Sequence, residues 1–387
     1  MTNQKDYQGR EQAKVKHHLL ETYIERLFMI IGQHQKIIRY VDCFAGPWQE
    51  GSDDLQDTSI GIALRLIRKC REGLKKMNKE VMFRALFIEK DKKAFQKLQN
   101  YLTGISHQEV ATDAFHGDFF DLRDAILEWC GDDFTFFFID PKGWKNVVEI
   151  PTLTPLLKRP NSEFLINFMY DFLLRTHTQE PFKKEIQAIF GEMPDTVDMT
   201  PEEKEDHLIK LYIRRLKEIS PGKGGKPRAV SVPVLYPLKD RTLYHLIYLT
   251  HHPMGIIVFM EASERLDLVQ RRIRAQAKQE NRELKNSQLE LFPASENISK
   301  KKRTDTAEVK AFWLKKLSVD PRLFGIEELA DMIEESGWSE SDFQAAFGEL
   351  KREDKVQNLD ATSKRRTKFV HFTEQKNRGE RLVRITP

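Results

Sequence analysis

The sequence predicts a doubly wound α/β domain with a helical insertion, joined by a polar linker to a small helical module that ends in two strands. Two observations carry the first part. Short apolar runs alternate with helix-length amphipathic segments, and the runs are apolar at successive positions, as strands buried on both faces of a parallel sheet must be. A third carries the second part: the polar, lysine-bearing stretch 293–302 separates two regions of different texture. At 387 residues the chain has room for two or three domains.

The expected elements follow in order. Val15, Leu19, Tyr23, Leu27 and Ile30 recur on one face of a helix over residues 12–31. Residues 36–42 read as a buried strand ending in the turn Cys43-Phe44-Ala45-Gly46-Pro47, with an apolar helix over 59–70. The next strand, 83–88, stops at Glu89 and leads to a helix over 91–101. A weaker strand at 114–116 ends at Gly117-Asp118, before a helix over 122–130. Residues 134–139 are the clearest strand, a continuous apolar run stopped by Asp140-Pro141, and 163–167 give one more. Residues 176–230 read as a charged helical insertion with a glycine-rich loop at 221–227; 243–250 and 255–260 then resume the sheet. The α/β domain spans residues 1–265, and a charged helix and linker occupy 266–303.

Residues 304–387 read as an independent unit. Helices are expected over 308–317 and 326–336, with Gly337 as a stop, and over 339–353, where Ser339 and Asp342 form a cap. Strands at 355–359 and 368–372 complete the layout of a winged helix-turn-helix.

Composition excludes several classes. Hydrophobic residues make up 40% and charged ones 32%, with 63 Lys+Arg against 59 Asp+Glu, so the chain is not a polycation. Cys43, Cys70 and Cys130 lie far apart without a CxxC pair, and His17-His18 and His251-His252 point apart; neither a disulfide framework nor a metal site is expected. The N-terminal residues are polar and no stretch of about 18 apolar residues occurs, so the expected setting is reduced and cytoplasmic, without membrane contact.

Each early strand ends on a carboxylate: Asp42, Glu89, Asp118 and Asp140. In an open parallel sheet ligands sit beyond the carboxyl ends of the strands. Acidic and glycine residues there also serve as turn formers, but four in series favour a ligand. S-adenosylmethionine offers a charged amine, a ribose diol and an adenine amino group, all of which carboxylates accept from. A pyrophosphate would be repelled, and the GxxxxGK[ST] loop is absent. Ala45-Gly46 lets backbone approach a ligand closely. Methylation at cytosine C5 needs a cysteine nucleophile, and burial is the better expectation for all three cysteines.

The run Tyr40-Val41-Asp42-Cys43-Phe44-Ala45-Gly46-Pro47 resembles the first motif of the three-Cys-motif partner (TcmP) family, similar to Rossmann-type S-adenosylmethionine-dependent methyltransferases. The likeness continues through Gly51-Ser52, residues 87–91, Gly117-Asp118-Phe119, Asp140-Pro141-Lys142-Gly143, Ile166-Asn167-Phe168 with Arg175, and Tyr244-His245-Leu246 with Thr250 and Gly255. It covers residues 10–265. Residues 327–330, Gly337-Trp338 and Lys364-Arg365-Arg366 look like the winged-helix module that some members append. The resemblance implies a Rossmann-like methyltransferase fold and S-adenosylmethionine held by Asp42, Phe44, Ala45, Gly46, Pro47, Glu89, Asp118 and Phe119. It also implies a partner protein with a three-cysteine motif. Two positions depart from the pattern. Trp48 replaces a small residue and either walls or occludes the cofactor pocket. Asp140-Pro141-Lys142-Gly143 is not the Asp-Pro-Pro-Tyr of enzymes that methylate exocyclic amines. Asp140 and the Pro141 carbonyl keep the acceptor pair, while Trp144 either stacks on a base or opens the next helix.

Between Lys364 and Arg384 eight cations face only Glu374 and Glu380, an excess above the +4 of the whole chain. Lys364, Arg365, Arg366 and Lys368 fall where a wing would meet a phosphate backbone; a merely soluble hairpin is the other reading. The helix over 339–353 would be the recognition helix, although its acidic residues suit base reading poorly. Lys223, Lys226 and Arg228 form either a phosphate contact or a solvated loop. The expected function is methyl transfer from S-adenosylmethionine to nucleic acid, with Asp140, Pro141 and Trp144 at the acceptor. The alternative is a catalytically silent accessory protein that binds a three-Cys-motif partner or nucleic acid.

Overall fold

A computed structural model describes residues 11–46, 58–105, 110–141, 147–176, 180–222, 225–286, 304–361 and 368–385. In chain order the first region holds α1 (Glu11–Ile31), β1 (Ile37–Asp42), α2 (Ser59–Lys76), β2 (Met82–Glu89), α3 (Lys92–Thr103), β3 (Ala111–His116) and α4 (Phe119–Cys130). There follow β4 (Phe134–Ile139), α5 (Ile150–Leu157), β5 (Ser162–Phe168), α6 (Tyr170–Thr176), α7 (Lys183–Phe190), α8 (Pro201–Ile219), β6 (Arg228–Leu235), β7 (Thr242–Thr250) and α9 (Pro253–Asn286). The sheet has the order β3-β2-β1-β4-β5-β7-β6. Strands β1 to β5 are parallel, and β7 lies antiparallel between β5 and β6. Strand order reverses between β1 and β4, which places a ligand crevice beyond Asp42 and Ile139.

The apolar runs fill both faces because alternate strand residues point to opposite sides. In β4, Phe134, Phe136 and Phe138 join the core under α1, α2, α3 and α9, while Phe137 and Ile139 join the one under α4 to α8. Tyr40 stacks on Phe136 on one side, with centroids 6.2 Å apart, and Phe137 on Phe164 on the other, at 5.0 Å. The α/β expectation holds. One expected strand needs correction: residues 255–260 lie in the first turns of the long helix α9, and the strand that pairs with β7 at the sheet edge is β6, which precedes it in the chain. A short apolar run does not distinguish a buried helix from a strand. Pro233 lies within β6, which forms the sheet edge, where proline is tolerated.

The second region contains α10 (Thr306–Lys316), β8 (Arg322–Phe324), α11 (Ile326–Ser336), α12 (Glu340–Arg352), β9 (Val356–Asn358) and β10 (Glu380–Arg384). Its sheet is antiparallel with the order β8-β10-β9. The three helices and the Ser339–Asp342 capping box fall where the sequence puts them, and Gly337 stops α11 at φ 71°. The expected hairpin needs correction. β9 pairs with β10, not with residues 368–372, whose backbone bonds the Gln344 side chain: Phe369 and Val370 N–H groups donate to its Oε1, each at 3.1 Å. A side chain replaces the ladder there.

The two regions meet along β6. Arg228, its side chain 1% exposed, binds three carboxylates of α11: Glu327 at 2.5 Å, Asp331 at 2.7 Å and Glu334 at 2.7 Å. Glu334 also accepts from the Ala229 N–H at 3.0 Å and pairs with Lys217 at 2.7 Å. Further along β6, Gln270 of α9 accepts from the Leu235 N–H at 2.6 Å. Lys226, bound to Asp331, and Arg228 are thus interdomain ligands of α11, neither phosphate contacts nor a solvated loop. Lys223 lies outside the described residues.

Candidate active site

The ends of β1, β2, β3 and β4 bring Asp42, Glu89, Asp118 and Asp140 to one edge of the sheet, with the order of the strands fixing their sequence across the crevice. Three of them share a local geometry. Asp42 accepts from the Phe44 N–H at 3.1 Å, Glu89 from the Asp91 N–H at 2.6 Å and Asp118 from the Phe120 N–H at 3.0 Å. Each carboxylate therefore spends one oxygen on the amide two residues on, as a turn former does. The second oxygen differs. That of Asp42 accepts from Ser59 Oγ at 2.8 Å, at the start of α2. That of Glu89 lies against Gly46: a Cβ there would come within 2.2 Å of Glu89 Oε2. That of Asp118 is 3.7 Å from Lys90 Nζ.

The turn after β1 is held by the Ala45 N–H donating to the Ile88 carbonyl at 2.8 Å. Phe44 faces Phe119 with ring centroids 5.3 Å apart, an aromatic wall between the ends of β1 and β3. Gly117 bonds the Glu89 carbonyl at 3.1 Å and adopts φ 153°, a conformation that glycine takes freely. Asp42 is completely buried, and that burial pushes its carboxyl up to about 7; the Ser59 and Phe44 hydrogen bonds oppose the shift.

Asp140 is organised differently. Its Oδ1 accepts from Asn167 Nδ2 at 2.6 Å, and its Oδ2 forms an ion pair with Lys16 of α1. Asn167 Oδ1 is buried without a hydrogen-bond partner among the described residues, as is the Tyr40 hydroxyl. A buried acceptor left unpaired costs about 1–3 kcal/mol. Pro141 is buried beside this group. Lys16 and Ser59 are site residues that sequence reasoning missed; neither is near its partner in the chain, and no local motif marks them. Asn167 carries a signal only through the quoted Ile166-Asn167-Phe168.

Asp42, Phe44, Ala45, Gly46, Glu89, Asp118, Phe119, Asp140 and Pro141 thus gather at one edge. Pro47, Trp48 and Trp144 lie outside the described residues. So do Lys364, Arg365 and Arg366. Lys368 is bound to Glu340 at 2.6 Å and Arg381 to Asp360 at 2.7 Å, so part of the basic C-terminal excess is neutralised locally. The start of α12, which a recognition helix would present to a groove, is instead docked on α9: Ser339 Oγ donates to Glu264 at 2.6 Å and Ser341 Oγ to the same oxygen. All three cysteines are buried. Among the described residues no helix is long and apolar enough to cross a membrane, and no cluster of His, Cys, Asp and Glu is placed to hold a metal ion.

No family model matches the chain, and no curated protein matches it. Among solved structures it is similar to a precorrin-6y C5,15-methyltransferase from Geobacter metallireducens, at 10% identity and TM-score 0.26, covering 59% of this chain and 88% of that one. It is similar to a dimethyladenosine transferase from Plasmodium falciparum, at 10% identity and TM-score 0.27, covering 86% and 96%. A third is a loganic acid methyltransferase with SAH, at 12% identity and TM-score 0.26, covering 91% and 92%.

Proposed function

We propose that the chain is an S-adenosylmethionine-dependent methyltransferase acting on nucleic acid. One observation supports it above the others: Asp42, Glu89 and Asp118 line successive strand ends, and the glycine cradle at position 46 brings backbone against the Glu89 carboxylate. Glu89 and Asp118 suit the ribose hydroxyls and the adenine amine, and Asp42 with the 44–46 turn suits the cationic methionine end. The cofactor, when bound, supplies an electrophilic methyl group. Asp140, the Pro141 carbonyl and the orphan Asn167 Oδ1 are acceptors, so they suit a target atom that carries hydrogen, an amine or a hydroxyl. Their contribution is orientation of that atom and uptake of its hydrogen bonds, which lowers the barrier chiefly by proximity. The second region, read as a winged helix, would hold the substrate with its wing around Lys364–Arg366 rather than with α12.

Calorimetric titration with S-adenosylmethionine and S-adenosylhomocysteine tests the reading, followed by tritiated-methyl transfer into nucleic-acid and protein pools. Micromolar binding lost in Glu89→Ala, with label in nucleic acid, is expected. Absence of binding at millimolar ligand would refute it.

The Lys16–Asp140 ion pair favours a second reading, because it occupies the carboxylate that an acceptor would need. In that case the chain is a silent accessory protein for a three-Cys-motif partner or nucleic acid. It would bind cofactor and transfer no label.

A further inference from the structure

At the opposite end of the sheet, where β1, β2 and β3 begin, lies a groove of about 600 Å³ lined by Lys36, Arg71, Lys75, Lys79, Met82 and Ala111, among others. Six residues of β1 separate it from Asp42, a distance of about 17 Å along the strand. Four cations enter the groove from three places: the segment before β1, the exposed side of α2, and the turn after α2. Glu80 is the one carboxylate among its lining residues.

The pairing of charges on α2 is uneven. Arg65 and Lys69 are bound to Glu21 and Glu25 of α1. Lys36, Arg71, Lys75 and Lys79 have no ion pair or side-chain hydrogen bond among the described residues, and all four are exposed. Lysines in a last helical turn also complement the helix dipole, which accounts for Lys75 but not for Lys36, Arg71 or Lys79. Four like charges converging on a concavity repel one another unless an anion lies between them. Arg71 and Lys75 stand one turn apart, about 6 Å along the helix, a spacing suited to a ligand with charges repeated along its length. Apolar residues of β2 complete the lining: Met82, 57% exposed, and the buried Phe83. Cations on the rim beside the exposed Met82 side chain match a backbone of phosphates whose bases can lay an apolar face against it.

We infer that this groove binds single-stranded nucleic acid, as a docking site separate from the crevice. The nucleic-acid half of the proposed function is deepened by it; the methyl-transfer half is not required for it.

The test uses the full chain and fluorescence anisotropy with labelled oligo(U) and oligo(dT) over a range of salt. The Arg71→Glu, Lys75→Glu, Lys79→Glu triple variant is expected to bind at least tenfold more weakly, with the slope of log K against log salt reduced by about 2. The corresponding triple Gln variant should lose less, and Lys97→Glu on α3 nothing. Calorimetric binding of S-adenosylmethionine should be unchanged in the triple variant. Equal affinity and slope in wild type and triple variant would overturn the inference, as would wild type binding neither oligonucleotide. Competition by polyglutamate as effective as by oligo(U) would overturn it in favour of an acidic protein ligand. A chain that binds oligonucleotide through the groove but never binds S-adenosylmethionine refutes the methyltransferase reading alone.

Discussion

Replacing Asp42 with Asn should stabilise the ligand-free protein at alkaline pH while weakening cofactor binding. Asp42 is fully buried, and its carboxyl stands near 7 in the fold against 3.8 for the free group. Because the folded value is raised, the native state holds the proton that the unfolded chain has already lost, so stability falls as pH rises from about 4 to about 7 and is level above that. Three units at 1.4 kcal/mol each put the full penalty at about 4 kcal/mol. Asparagine keeps an oxygen for the Phe44 N–H and can donate to Ser59 Oγ, without carrying a charge. Urea unfolding at pH 5 and pH 9 should then show the variant gaining on wild type by up to about 3 kcal/mol between the two, since part of the penalty is already present at pH 5. In the same variant, affinity for S-adenosylmethionine should fall more than tenfold. Stability profiles that run parallel across this range would refute the assignment of the penalty to Asp42.

Gly46→Ala should weaken cofactor binding at least tenfold by driving Glu89 off its position, because the new Cβ would sit 2.2 Å from Glu89 Oε2; isothermal titration reads it, and unchanged affinity would remove Gly46 from the site. Arg228→Ala leaves Glu334, its side chain 10% exposed, with Lys217 as its one remaining charged partner among the described residues and should cost about 3 kcal/mol in urea unfolding. Burial pushes the Cys70 thiol up to about 12 and the Cys43 and Cys130 thiols above their ordinary value, so the folded protein at pH 8 should not react with a thiol-specific disulfide reagent until urea unfolds it.

What the sequence made legible was local. A carboxylate that ends a strand and bonds the amide two residues on is set by its neighbours, so Asp42, Glu89 and Asp118 could be placed before any tertiary contact was known. The apolar runs of β1, β2, β4 and β5 were equally plain, and the Ser339–Asp342 cap is a three-residue spacing. What escaped depends on distance in the chain or on equivalence of pattern. Lys16 meets Asp140 only because α1 packs across the sheet, and nothing near residue 16 announces it. Residues 255–260 carry the composition of a strand but turn within α9, since burial on every side satisfies either conformation. The Gln344 side chain takes the hydrogen bonds of residues 369 and 370, an exchange that propensity does not see. The docked start of α12 likewise follows from Glu264 on another helix.

The contact between α11 and β6 has a meaning beyond adhesion. A sheet that ends in an open strand offers its unpaired backbone to any other strand that passes, including one from an identical chain. Here that margin is blocked in succession by Glu334 at Ala229, by the proline at 233 and by Gln270 at Leu235. Of the three blocks, the first is lent by the C-terminal region. Without that region the Ala229 N–H would lose its acceptor and Arg228 its three carboxylates, while Pro233 and Gln270 would still guard the far half of the strand. Closing the near half of this edge and covering Arg228 thus both fall to α11, which ties the two regions of the chain together.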